Sequence, residues 1–322
     1  MTQVNTIKSF PDVPVSAFAA VLGIAGLGIA WRNAAPGLGV TPVIGEVLIF
    51  AGALLFAWIS AAYGMKIIRS PQAMRAEFDD LKRIPFAAAV PLSLQLFAAG
   101  AVPLDTAIAT LLWVAGTVFQ IILLLIILSR LMSGGHARRN LRPSIFLPAA
   151  GLLLGPGTAC QLGYSEIGWM MFSMGVLMWL MFLVMLFDRL IFEMPLDDDE
   201  LPLLAITVTP PALAFVSYTE LNQQMVDSFA RILFYAMVFF LILTLAHALR
   251  FMRLRFSLAW WSFTFPASAA AGAALEYRMA AGTNFPAGLS AALLGLASLL
   301  AAYCAVRTVL GLRSGNLLKR IS

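Results

Sequence analysis

A chain of 322 residues that is 61% hydrophobic and only 11% charged is no ordinary soluble domain, in which about a quarter of the residues carry charge. Its mean hydropathy of +0.89 predicts an all-α integral membrane protein, one transmembrane domain over residues 1–322 with little room for a soluble one. Beside a net charge of +5 there are two cysteines and two histidines, too few for a disulfide framework or a Cys- or His-rich metal site.

The first apolar run, 15–31, follows a short N-terminus without a clear A-x-A cleavage site, and reads as a retained span. Nine more runs follow, at 43–67, 84–101, 105–132, 143–163, 167–192, 202–219, 228–250, 257–277 and 286–312. Each has roughly the 20 apolar residues a span needs. Each is expected to be a helix, because a lone span in lipid must satisfy its own backbone hydrogen bonds. Cys160 and Cys304 fall inside such runs and read as small core residues.

The basic residues alternate by loop. Lys66, Arg69, Arg75, Lys82 and Arg83 follow span 2, and Arg130, Arg138, Arg139 and Arg142 follow span 4. Arg250, Arg253 and Arg255 follow span 8, and Arg307, Arg313, Lys319 and Arg320 lie at the C-terminus. Little beyond Arg32, Arg231 and Arg278 falls on the other side. The positive-inside rule then places both termini in the cytoplasm and makes the chain five hairpins. The positive charge is an orientation signal and implies no nucleic-acid partner.

Prolines alternate as well. Span 3 contains Pro91, span 5 Pro148, span 7 Pro210 and Pro211, and span 9 Pro266. The even spans have none beyond their first turn, where Pro42 and Pro286 are permitted. Span 1 has no interior proline, but Pro11 and Pro14 stand at its entrance and Gly23, Gly26 and Gly28 follow. An interior proline removes a backbone bond and bends the helix. Irregular backbone in a membrane belongs inside protein or along a cavity. One reading is simple tolerance of proline in membrane helices. The other is an inner ring of five bent odd helices around a central pore, with five smooth even helices outside, facing lipid or neighbouring subunits.

No Asp, Glu, Lys or Arg lies at the middle of a span; Glu46, Glu220, Arg231, Glu276, Arg278 and Arg307 lie near ends, from which they can reach the interface. This argues against a proton pump and a voltage sensor built on basic helices. Gln95 and Gln120 are the conspicuous polar residues and read as helix–helix hydrogen-bonding groups. No catalytic set, HExxH, CxxC or phosphate loop is present, so neither an enzyme nor a cofactor is expected. Asp197, Asp198, Asp199 and Glu200 precede span 7 and read as a solvated cluster at a helix start.

Span 9 carries "SLAWWSFTFPASAAAG". Ser262, Phe265, Ser268/Ala269 and Gly272 share one face at helical spacing. That face is small except for Phe265, as suits a narrow conduit with one aromatic plug. Ordinary packing of Phe265 between helices is the other reading. Pro266 removes the hydrogen bond to the Ser262 carbonyl beside it. A hydrophobic constriction closes a pore by excluding water, and a phenyl edge, partially positive, suits an anion.

"AWWSFTFP" resembles span 9 of the tellurite-resistance/C4-dicarboxylate transporter family, which includes TehA-type bacterial proteins and the slow anion channels of plant guard cells. "FPDVPVSAFAAVLGIAGLGIAW" resembles the family's first span and "RAEFDDLKRIPFAAAVP" its loop into span 3. "RPSIFLPAA" resembles its entry to span 5 and "TPPALAFVSY" its span 7. The resemblance runs nearly end to end. It implies ten helices as five hairpins around a pore, odd helices inside, in a homotrimer with one pore per subunit. By resemblance Phe265 occludes the pore, Phe18 reaches it from span 1 and Gly23 is the glycine that follows; Phe263, offset by two, points into packing. The phosphorylation control that the long tails carry in the plant channels is not expected from the resemblance here.

The uncharged interior fits a passive channel for small monovalent anions, such as chloride or nitrate, in a bacterial inner membrane. The pore gate is expected at Phe265 and Phe18. Gly23, Pro91, Pro148, Pro210, Pro211, Ser262, Pro266 and Ser268 are expected to line the pore or kink its helices. The rivals are a secondary carrier for C4-dicarboxylate, sulfite or tellurite oxyanions, and a membrane scaffold without transport.

Overall fold

The computed structural model describes residues 13–280 and 287–314, and among them the regular structure is all helical. In chain order the helices are α1 (Phe18–Leu38), α2 (Val43–Arg69), α3 (Pro71–Asp79), α4 (Ala89–Ala101), α5 (Thr106–Met132) and α6 (Phe146–Gln161). They continue with α7 (Ser165–Phe192), α8 (Thr209–Leu221), α9 (Ser228–Ala246), α10 (Ala248–Phe251), α11 (Thr264–Ala280) and α12 (Ala287–Arg313). Five 3-10 segments run directly into α-helices: Val15–Ala17 into α1, Ile84–Ala88 into α4, Pro143–Ile145 into α6, Leu201–Val208 into α8 and Leu258–Phe263 into α11.

Among the described residues nine helical segments are long and apolar enough to cross a membrane. They coincide with expected spans 1 to 8 and 10, mostly to within a few residues. The expected ninth is helical from Leu258 to Ala280, but its Ser, Thr, Trp and Ala content leaves it outside the nine. Span 1 was expected to end at 31; it continues to Leu38 and so does contain an interior proline, Pro36. Pro36 lies in the last turn, where it removes the bond to the Arg32 carbonyl, and Gly39 closes the helix at φ +68°. Span 8 stops at Ala246, with His247 separating it from α10. The termini, Pro11, Pro286, Lys319 and Arg320 lie outside the described residues, and with them the expected cytoplasmic placement of both ends.

Burial separates the helices into two sets. In the spans that contain α1, α4, α6 and α8, 61–89% of the apolar window is buried inside the protein, against 17–39% in α2, α5, α7, α9 and α12. Each buried helix packs on the exposed helix that follows it: α1 on α2, α4 on α5, α6 on α7, α8 on α9 and α11 on α12. The buried helices also pack on one another, α1 on α4, α4 on α6, α6 on α8, α8 on α11 and α11 on α1. Small residues permit the closest approach. A Cβ on Gly45 of α2 would fall 2.6 Å from the Gly28 carbonyl and Arg32 amide of α1.

The prolines expected to bend the odd helices stand at a change of winding within their spans. Pro91, Pro148, Pro211 and Pro266 each occupy the third residue of α4, α6, α8 and α11, and Pro210 the second residue of α8. The preceding turn is 3-10 in every case, so the proline stands where i→i+3 bonding gives way to i→i+4. The first turn of an α-helix makes no demand on those N–H groups, which is why the ring is accommodated. Pro156 does lie inside α6.

Of the two glutamines expected to hydrogen-bond between helices, Gln120 does so, whereas neither amide atom of Gln95 has a hydrogen-bond partner. Gln120 of α5 donates to the Pro148 carbonyl of α6 at 2.7 Å and covers Gly151. Gln95 of α4 is fully buried over Gly155 of α6 and Gly116 of α5.

Candidate functional site: a constriction between five helices

One small cavity, about 20 Å³, is touched by all five buried spans. Its walls include Leu22 of α1, Phe86 of the segment leading into α4, Leu147 of α6, Thr209 of α8, and Ser262 and Phe265 around the start of α11. That volume is about enough for one water molecule. Most of the wall is hydrocarbon; Thr209 and Ser262 bring hydroxyls to it. The Thr209 hydroxyl has no hydrogen-bond partner and the residue is fully buried.

Phe265 closes one side. The residue is 5% exposed, and its ring lies against α1: a Cβ on Gly26 would fall 2.7 Å from Phe265 Cδ2. The small residue under the ring is therefore Gly26. Gly23, one turn earlier, lies under Thr264 instead, with its notional Cβ 1.9 Å from Thr264 Oγ1. The turn carrying Phe265 is fixed by its own side chains. Thr264 donates to the Trp261 carbonyl at 2.7 Å and Ser268 to the Thr264 carbonyl at 2.8 Å. Trp261 donates to Thr308 of α12 at 2.9 Å.

Beyond Phe265 the same face of α11 opens again. Gly272 is half-buried, and a Cβ there would meet nothing within 4 Å.

Of the residues singled out in the sequence, Ser262, Phe265 and Pro266 meet at the cavity. Ser268 is buried with its hydroxyl turned to its own backbone. Pro91, Pro148, Pro210 and Pro211 are buried at their helix starts. Phe18 is not among the cavity-lining residues; its ring stands 5.6 Å from Phe56 and 6.3 Å from Tyr63, both on α2. Phe263 packs on Phe251 and Trp260, at 5.0 and 5.6 Å between ring centroids.

Among the ion pairs at the end of the bundle that carries the arginine-rich loops, two are largely buried and were not foreseen in the sequence. Arg142 Nε lies 2.5 Å from Glu200 Oε1, with side-chain exposures of 7% and 22%. The pair ties the entry of α6 to the entry of α8, so Glu200 does not belong to a freely solvated cluster. Lys66 pairs with Glu77 at 2.8 Å, both nearly buried, and Tyr63 donates to the same carboxylate at 2.9 Å. Arg130 donates to the Phe78 carbonyl. The short helix α3, unforeseen because it is polar, places Glu77 there.

Nine apolar spans around such a buried constriction define a multi-pass helical membrane protein. A family model described as voltage-dependent anion channel matches residues 12–309, and the chain belongs to that family. It is 30% identical over 273 residues to the S-type anion channel SLAH3 of Arabidopsis thaliana, covering 82% of this chain and 43% of that protein. With the S-type anion channel SLAH2 of the same plant the identity is 29%, over 82% and 52%. With a tellurite resistance protein TehA homolog of Haemophilus influenzae it is 26%, over 74% of each. The chain spans about half the length of the plant relatives it matches.

Proposed function

We propose that the protein is a passive channel for small monovalent anions such as chloride or nitrate, closed in this conformation by Phe265. In this reading ten helices form five hairpins, and α1, α4, α6, α8 and α11 surround the conduit. The single observation that carries it is the cavity reached by all five of these spans and stopped by one phenyl ring. Hydrocarbon walls exclude water at the constriction. The Thr209 hydroxyl is placed to donate to a passing anion, since it has no other acceptor. The basic loops at one end raise the local anion concentration. Phe18, Gly23 and the helix-start prolines then act by shaping the wall from behind. A bacterial inner membrane, cytoplasmic termini and a homotrimer with one conduit per subunit complete the proposal.

The test is anion current across a bilayer containing the protein, compared with Phe265→Ala. The expected result is a nearly silent wild type and a conducting variant whose current reverses at the chloride equilibrium potential. Two silent proteins, both folded and inserted, would remove Phe265 from the gate.

The likeness to the tellurite resistance protein TehA homolog of Haemophilus influenzae favours one alternative, a secondary carrier for tellurite, within a class that also includes sulfite and C4-dicarboxylate carriers. Saturable uptake that follows an imposed proton gradient, with no reversal at an anion potential, would select it.

A further inference from the structure

Glu276 was expected near a span end, within reach of the interface. It is instead 7% exposed, and its Oε1 has no hydrogen-bond partner. It lies eleven residues beyond Phe265 on α11, three helical turns and about 16 Å along the same face. Gly272, which borders open space, lies between them on that face. A second carboxylate, Glu220, stands near the end of α8, the helix that packs on α11. Glu220 lies over Gly157 of α6, 3.5 Å from that glycine's notional Cβ. It accepts from Gln161 Nε2 at 3.4 Å.

Nearby cations serve other partners. On α11 itself, Arg278 donates to the Gly37 carbonyl of α1. Arg32 of α1 pairs with Glu46 at 2.8 Å and donates to the Gly100 carbonyl of α4 at 2.9 Å. From α9, Tyr235 stands with its ring 6.3 Å from that of Tyr277, the neighbour of Glu276, and Arg231 stands one turn earlier. From α12 comes a hydroxyl, Ser290, which donates to the Ala274 carbonyl at 3.1 Å. Among the described residues neither Glu220 nor Glu276 has a cationic partner.

A buried carboxylate without a partner is costly as an anion, and a second carboxylate on the helix packed against it adds to the cost. Two like charges sharing a site are relieved by one proton between them. We propose that Glu276, with Glu220, forms a proton-binding site on the conduit at the far side of Phe265, and that an anion passes when the site is protonated. The inference rests on the conduit reading above. A charged pair repels an anion from this stretch; a protonated pair offers it a neutral wall and an O–H donor. Conductance therefore rises as pH falls.

The experiment uses the full chain in liposomes loaded with chloride, with both faces at the same pH so that orientation does not matter. Phe265→Ala is compared with Phe265→Ala/Glu276→Gln at about pH 8 and about pH 5. The expected result is a several-fold rise in efflux on acidification for the first variant, and fast efflux at both values for the second. Identical pH profiles would overturn the proposal. Infrared spectra of the wild-type protein and Glu276→Gln read the site apart from any flux. A titrating carboxyl C=O band present only in the wild type is expected, and indistinguishable spectra also overturn the assignment. Absence of flux in Phe265→Ala at every pH, with that band present, would instead count against the conduit.

Discussion

At the scale of single residues, one close fit bears directly on the constriction, that between Gly26 and the Phe265 ring. A methyl group on Gly26 has to displace the ring, since 2.7 Å is below any carbon–carbon contact. Gly26→Ala is therefore expected to destabilise the protein by about 1–3 kcal/mol, the usual effect of overpacking. It is also expected to give a basal anion flux between those of wild type and Phe265→Ala. Flux measurements on the three proteins check this, and a silent Gly26→Ala would mean that the ring yields without opening the conduit. Asp227 offers a second test. It caps α9 by accepting from the Ala230 amide at 2.8 Å, and it accepts from the Tyr218 hydroxyl at 2.6 Å. The Ala230 N–H above all, and then the Tyr218 hydroxyl, hold this carboxyl below the usual carboxylate range. Its folded-state affinity for a proton is lower than in the unfolded chain. The stabilisation is then complete at neutral pH and disappears as acid protonates the group. Melting curves in detergent from about pH 7 down to about pH 3 should show an acid-induced loss that is smaller in Asp227→Asn.

Elements come next. The Arg142–Glu200 pair fastens the start of one buried span to the start of another. Removing one partner leaves the other charge buried, a loss of about 3–5 kcal/mol. Arg142→Ala should lower the melting temperature sharply, while Arg142→Met/Glu200→Leu should recover most of it, because an apolar pair leaves no stranded charge. If the double variant melts as low as the single one, the pair has a role beyond filling the space. What could be read from the sequence also divides at this scale. The alternation of prolines picked out the inner helices, because a ring that cannot donate is confined to particular backbone positions. The 3-10 turns before those prolines were not legible, since apolar periodicity over three to eight residues does not separate one winding from another. Gly26 and Gly23 are equivalent in sequence; only the register of α1 on α11 says which lies under Phe265. The Arg142–Glu200 pair joins positions 58 residues apart, and neither has a local pattern that names the other. Thr209, directly before Pro210, carried no mark beyond its hydroxyl.

For the whole molecule, the outer helices expose large apolar side chains along their length, such as Phe50, Leu111, Val184, Phe239 and Leu299. Lipid or another subunit covers such a surface. The proposed homotrimer predicts a mass of three chains in native mass spectrometry from mild detergent, and cross-linked species that stop at three. A monomer that retains full conductance would separate the oligomer from the conduit.

The seam between α1 and α11 has a consequence for how the chain is made. Gly23 and Gly26 meet Thr264 and Phe265, so the earliest span and one of the latest share a face. About 240 residues separate the end of α1 from the end of α11. At a synthesis rate of roughly 5–20 residues per second, the glycine face of α1 waits on the order of tens of seconds for its partner. A nascent chain halted before residue 264 would insert its hairpins but leave that face open to lipid or to a chaperone. Cysteine pairs placed across the seam would time the moment of closure on the ribosome.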